Sequence, residues 1–188
     1  MSNHHSDDSV FKIALNLTGA CLISGIIIAG VYALTAKTAV RKAEEMKTAA
    51  MKELVLEADD FAPLPDVKGG FEAKKDGRIL AYIVPTEGKG YGGSIKILVA
   101  VTPEGRVLNF AIIESRETPG LGDKAGQKPF TSEIIGKTAE HLVVTKNPQQ
   151  RSEVLAISGA TITSRAVTAA VKEAIEKVGK YLKGNHHV

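Results

Sequence analysis

One uncharged apolar run constrains this chain more than any other feature. Residues 13–34 read IALNLTGACLISGIIIAGVYAL, and only Asn16, Thr18 and Ser24 among them are clearly polar. An α-helix needs roughly 20 such residues to cross a hydrocarbon core of ~30 Å. The alternative is a buried core helix, but an uncharged run this long has no polar face to turn to water. A cleaved signal peptide has a shorter apolar region, about 7–15 residues, behind a basic leader. Here Lys12 stands against Asp7 and Asp8, and the surroundings of Ala33 and Ala36 make a poor cleavage site. The run therefore predicts an uncleaved transmembrane helix. Cys21, Gly25 and Ala29 are spaced by four within it, which reads either as a small-residue stripe for a second helix or as an ordinary lipid-facing surface.

Orientation is less direct. Lys37, Arg41, Lys42 and Lys47 follow the run and only Lys12 precedes it, so the positive-inside tendency would hold the C-terminal part in the cytoplasm. Long domains translocate despite such a bias, so the count is a weak vote. Across the 188 residues, 44% are hydrophobic and 24% charged, which excludes a chain disordered throughout. The single cysteine excludes an internal disulfide framework and any Cys-based zinc or iron–sulfur site. A net charge of +3 without a basic stripe, and no tryptophan, speak against nucleic-acid binding.

After the apolar run, residues 35–58 are rich in Ala, Lys, Glu and Met and predict a connecting helix that turns amphipathic. Pro63 and Pro65 stop it, and Gly69 and Gly70 mark a loop. Three strands are expected over 78–84, 94–102 and 106–114, the last two joined by a tight Pro103-Glu104-Gly105 turn and therefore antiparallel. A loop follows over 116–129, then a short helix near 129–136 and short strands near 141–145 and 154–157. From residue 164 to 182 the apolar positions Ala166, Val167, Ala170, Val171, Ala174, Ile175, Val178 and Leu182 recur at helical spacing. This predicts an amphipathic helix packed on a sheet, hence an α+β domain, antiparallel-rich, behind one N-terminal transmembrane helix. Asn185, His186 and His187 read as a tail, too few for a metal site, and no metal ligand set is expected elsewhere.

Chemistry is most concentrated at Ser158-Gly159-Ala160-Thr161-Ile162-Thr163-Ser164-Arg165, a strand–turn–helix junction with small residues, hydroxyls and a helix N-terminus. Such a junction suits a phosphate. The simpler reading is that Ser158, Thr161 or Thr163 caps the helix.

The wider sequence favours the phosphate. Ser158–Thr161 (SGAT), Gly90–Gly93 (GYGG), the strand pair with Pro-Glu-Gly between, and Glu117-Thr118-Pro119-Gly120-Leu121-Gly122 (ETPGLG) occur in this chain behind one apolar N-terminal run. In these motifs the chain resembles the G-subunit family of Rnf complexes and, more distantly, the C-subunit family of the sodium-pumping NADH:quinone oxidoreductase. The resemblance implies covalent FMN, esterified through its phosphate to Thr161 by a flavin transferase, with Ser158, Gly159 and Ala160 completing the motif and Thr163 and Ser164 as hydroxyls beside the phosphate. Arg165 would add charge or face water. The ETPGLG turn would lie along the isoalloxazine ring, with Glu117, Thr118, Gly120 and Leu121 as its contacts, and Tyr91 would pack near it or plug its loop. The resemblance also implies no catalytic residue of substrate chemistry, since the flavin carries the redox chemistry. It places the soluble domain on the extracytoplasmic side of the cell membrane, beside the other membrane and redox subunits of an Rnf-type complex, a ferredoxin:NAD oxidoreductase that moves ions. One departure stands out. The transferase signal usually has an aspartate three residues before the serine, where this chain has Leu155. A standalone flavinylated electron carrier, or a flavin-free assembly subunit, are the competing readings. The expected division is a cytoplasmic N-terminus over 1–12, the membrane helix over 13–34, the connecting helix over 35–62, the FMN-binding domain over 63–183 and a tail over 184–188.

Overall fold

A computed structural model describes residues 4–185; residues 1–3 and the tail histidines His186 and His187 lie outside the described residues. The first element, α1, runs as one helix over His4–Leu54. No glycine or proline falls between residues 31 and 62, so nothing separates the apolar run from the Ala/Lys/Glu-rich helix expected after it. Within α1, Val10–Ala36 is long and apolar enough to cross a membrane. Its large side chains, among them Ile13, Leu22, Ile26 and Leu34, are exposed. The chain divides into two compact units, Met1–Glu45 and Met46–Val188, and the last turns of α1 belong to the second.

The second unit is built on a five-stranded antiparallel sheet in the order β1 (Asp60–Pro63), β2 (Phe71–Lys75), β3 (Arg78–Lys89), β4 (Ser94–Val101) and β5 (Val107–Glu114). The three strands expected from sequence correspond to β3, β4 and β5; β1 and β2 are additions. FEAKK in β2 has no β-branched residue, so its propensity is poor. Its hairpin partner is set instead by Asp76-Gly77, whose positive φ values of 50° and 76° are those an Asp-Gly turn takes readily. β3 also continues through Pro85, beyond the end that a proline predicts. Pairing with β2 stops at Phe71↔Ile83, while pairing with β4 goes on to Lys89↔Ser94. Beyond Ile83 the strand has a neighbour on one side only, and a proline without an N–H is tolerated there.

The rest of the domain follows β5: a 3₁₀ turn at Gly122–Gly126, α2 (Phe130–Ile134), a second 3₁₀ turn at Ala139–His141, and β6 (Val144–Thr145) paired in parallel with β7 (Val154–Leu155). Then comes α3 (Thr161–Asn185), beginning three residues earlier than the apolar spacing indicates.

The sheet has a helix on each face. Val84, Ile95, Ile97, Val99, Val101 and Val107 pack with Val167, Ala170, Val171, Ala174 and Val178 of α3. On the opposite face Ala73, Ala81, Ile83, Leu98 and Ala100 meet Met51 and Leu54 from the end of α1, and Val55 just beyond it. Period-two alternation along β3 and β4 feeds both clusters, so these central strands are nearly continuous apolar runs. Gly88 lets β3 come against the start of α3: a Cβ there would lie 2.6 Å from the Ala166 carbonyl oxygen. The start of α3 is thereby held against the end of β3.

Candidate functional site

The junction between β7 and α3 is a tight turn. Ala156 N–H still donates to Thr145 O at 2.8 Å, and Ala160 N–H closes the turn on Ile157 O at 3.0 Å. Gly159 has φ of +79°, a conformation in which a side chain is strained. Ala160 precedes the helix and has no side-chain oxygen, so none of Ser158, Thr161 and Thr163 occupies the capping position: two lie inside the helix and one two residues before Ala160. The first intrahelical bond is Ser164 N–H to Ala160 O at 2.9 Å. The N–H groups of Thr161, Ile162 and Thr163 are therefore left without a partner inside the helix. No acidic residue sits in the first turn to oppose the positive end of the helix dipole.

The four hydroxyls of this segment separate by what they bond. Ser164 is fully buried; its Oγ donates to Ala160 O at 2.9 Å and accepts from Ile157 N–H at 3.0 Å, fastening the turn to the helix. Thr163 is 1% exposed and its Oγ1 donates to Glu117 Oε2 at 2.5 Å. Ser158 is exposed but stands outside the cleft described next. Thr161 is half-buried, lines that cleft, and makes no side-chain hydrogen bond among the described residues.

The cleft holds about 610 Å³ and is lined by Tyr91, Glu117, Thr118, Leu121, Gly122, Lys146, Gly159, Ala160, Thr161, Ile162 and Thr163. Three segments far apart in sequence meet in it. The ETPGLG loop turns back on itself through Leu121 N–H and Gly122 N–H to Thr118 O, both at 3.1 Å. The GYGG loop is closed by Gly90 N–H to Gly93 O at 2.8 Å. Glu117 joins them: its Oε1 accepts from Gly92 N–H at 2.9 Å while its Oε2 accepts from Thr163. Added Cβ atoms at Gly90 and Gly122 would collide with the Glu117 carboxylate, and one at Gly92 with the Arg116 carbonyl. Leu121 completes the closure, its side chain lying over Gly159. Just below this loop Lys96 donates to Glu114 at 2.7 Å across the ends of β4 and β5. That hydrogen bond and charge hold Glu114 below and Lys96 above their ordinary ranges.

The lining suits an anionic ligand with an apolar part. Its polar end has the unpaired N–H groups of the α3 start, the Thr161 hydroxyl and Lys146. Its apolar rim has Tyr91 (74% exposed), Ile162 (56%) and Leu121 (42%). Glu117, the one acid lining it, is committed to internal donors.

The sequence expectations for Glu117, Thr118, Leu121, Gly159, Ala160, Thr161, Thr163 and Tyr91 all fall on the cleft, whereas Gly120, Ser158 and Ser164 do not line it. Arg165 is exposed on a neighbouring groove with Glu87 and Lys89. Lys146 and Ile162 join the lining without a motif that points to them. Ile162 carries a weaker signal, an apolar residue off the buried stripe of α3; a lone lysine after β6 carries none.

The model of the FMN-binding domain matches residues 90–176, which contain all three segments of the cleft. Over 98% of its length the chain is 44% identical to the whole of the G subunit of the proton-translocating ferredoxin:NAD(+) oxidoreductase complex of Clostridium ljungdahlii. The chain belongs to the family of Rnf complex G subunits. Another relative is the G subunit of the Na(+)-translocating ferredoxin:NAD(+) oxidoreductase complex of Acetobacterium woodii, 33% identical over 89% of this chain and 90% of that one. Among solved structures, NqrC of Shewanella oneidensis aligns with a TM-score of 0.51 at 25% identity, covering 69% of this chain and 73% of that one. Every residue lining the cleft, from Tyr91 to Thr163, lies within the matched range.

Proposed function

We propose that this chain is a membrane-anchored electron-transfer subunit of an Rnf-type ion-translocating oxidoreductase, carrying FMN esterified through its phosphate to Thr161 Oγ1. The observation that carries the reading is that Thr161 is the one hydroxyl of the Ser158–Ser164 segment that both lines the cleft and has no internal partner among the described residues. When bound, FMN supplies one- and two-electron redox chemistry. The chain's residues do the rest. The N–H groups of the α3 start and Lys146 would balance the phosphate charge, Leu121 and Ile162 would give the ring apolar contact, and the open rim at Tyr91 would leave room for electron exchange with a neighbouring protein of the complex. The Clostridium ljungdahlii and Acetobacterium woodii relatives are named as subunits of ferredoxin:NAD(+) oxidoreductase complexes, which supports the same partners here.

Covalent attachment by a flavin transferase, anchoring by α1 and an extracytoplasmic position complete the proposal. A tether keeps the flavin on an exposed mount where no free FMN pool replaces it. In-gel flavin fluorescence after denaturing electrophoresis tests the attachment: a fluorescent band in the wild type and none in Thr161→Ala supports it, and a band surviving Thr161→Ala assigns the ester elsewhere. Protease added to spheroplasts tests the side, with degradation of the domain after residue 45 expected and protection reversing the topology.

A further inference from the structure

We propose that Glu117 is a positioning residue that fixes the mount of the flavin by clamping the α3 start to both glycine loops, rather than a contact to the isoalloxazine ring. The inference rests on the reading of Thr161 as the flavin tether. Both carboxylate oxygens are already engaged, one by Gly92 N–H of the GYGG loop and one by the Thr163 hydroxyl. Among the described residues these are the only hydrogen bonds that tie the first turn of α3, the GYGG loop and the ETPGLG loop to one another. The space for the carboxylate is made by glycines on two sides, since a side chain at Gly90 or Gly122 would strike it. Glu117 N–H is itself turned in, donating to Ser115 Oγ at 3.2 Å, so the residue is held at both ends.

Thr163 follows Thr161 by two positions, about 200° around the helix. A clamp on Thr163 thus fixes the rotation of the first turn and, with it, the direction of the Thr161 hydroxyl. An amide can accept from Gly92 N–H at one atom and donate to the Thr163 hydroxyl, which also accepts, from the other, so a glutamine here can hold both partners. The clamp is broken by an apolar side chain of similar length, as in Glu117→Met.

The test uses the full-length chain, made with its flavin transferase and purified in detergent, as wild type, Glu117→Met, Thr163→Val, Thr163→Ser and the Glu117→Met/Thr163→Val double variant. Flavin attachment is counted by intact mass, and flavin mobility and midpoint potential are read from time-resolved fluorescence anisotropy and redox titration. The expected result is flavin retained on Thr161 in all five. Glu117→Met and Thr163→Val should each add a fast anisotropy component and shift the potential, and the double variant should be no worse than either single one. Thr163→Ser, which keeps the donor, should behave as wild type. A role in folding alone would lower Tm without changing the anisotropy decay. Wild-type decay and potential in both Glu117→Met and Thr163→Val, or effects that simply add, overturn the clamp. Wild-type protein free of flavin overturns the tether reading first and the clamp with it.

Discussion

The hydroxyl of Thr163 donates to Glu117 Oε2 at 2.5 Å, closing a span of 46 residues between a loop after the sheet and the first turn of α3. Thr163 is buried, so removing its hydroxyl while keeping its shape leaves a carboxylate oxygen facing a methyl group. Hydrogen bonds to charged groups contribute about 1.5–3 kcal/mol, and Thr163→Val is expected to lose about that much in denaturant unfolding. A loss near zero would mean that water replaces the hydroxyl without penalty.

Close approach of β3 to α3 makes a second prediction. Gly88→Ala would put a methyl group against the backbone of Ala166, where no side chain can swing aside. Overpacking of this kind costs about 1–3 kcal/mol. Gly88→Ala should lower Tm accordingly, and an unchanged Tm would show that the strand and helix separate freely.

The end of α1 is predicted to be part of the domain core and not merely a connector. Met51 is 6% exposed, packed with Ile83 and Leu98 on the sheet face opposite α3. Met51→Ala should destabilise the domain by about 2–5 kcal/mol, while Lys52→Ala one residue on, at an exposed position, should change stability little. Equal effects of the two would contradict this packing.

A pH dependence is expected at the far end of α3. Tyr181 is held above the ordinary tyrosine range by burial first, then by the charge of Glu72 and its hydrogen bond to it, at 3.3 Å. Tyr82, edge-on to Tyr181 with ring centroids 5.9 Å apart, is raised by burial and then by Glu72. A raised folded pKa favours the protonated phenol in the native state. The stability it contributes is therefore full below the unfolded value of about 10 and is lost as pH rises through the folded one. Glu72→Gln should move the tyrosinate absorbance transition to lower pH and make alkaline destabilisation milder. An unshifted transition would leave burial as the sole cause.

Much of the architecture is legible from residue pattern because burial dictates it. The α3 stripe from Val167 to Val178 and the apolar runs of β3, β4 and β5 are core residues whose spacing is their only means of reaching that core. β1 and β2 escape the same reading because the sheet accepts them through pairing and a turn; Asp76-Gly77 is the available signal and it is only two residues long. Pro85 misleads for a related reason, since its tolerance depends on where β2 ends, a fact about a neighbour and not about β3. At the site, Thr161 and the ETPGLG loop are recognisable as motifs. Motifs do not tell which hydroxyl faces inward: Ser164 and Thr163 are indistinguishable from Thr161 in one dimension, and their separation arises from the turn at Gly159 and from Glu117.

The account stands most directly on the chemical state of Thr161. Full-length protein produced with its flavin transferase should have an intact mass exceeding the bare chain by one FMN less one water, and fragmentation should place that increment on Thr161. An unmodified chain, despite a transferase active on another substrate in the same cells, or an increment located on Ser158 or Thr163, would contradict it.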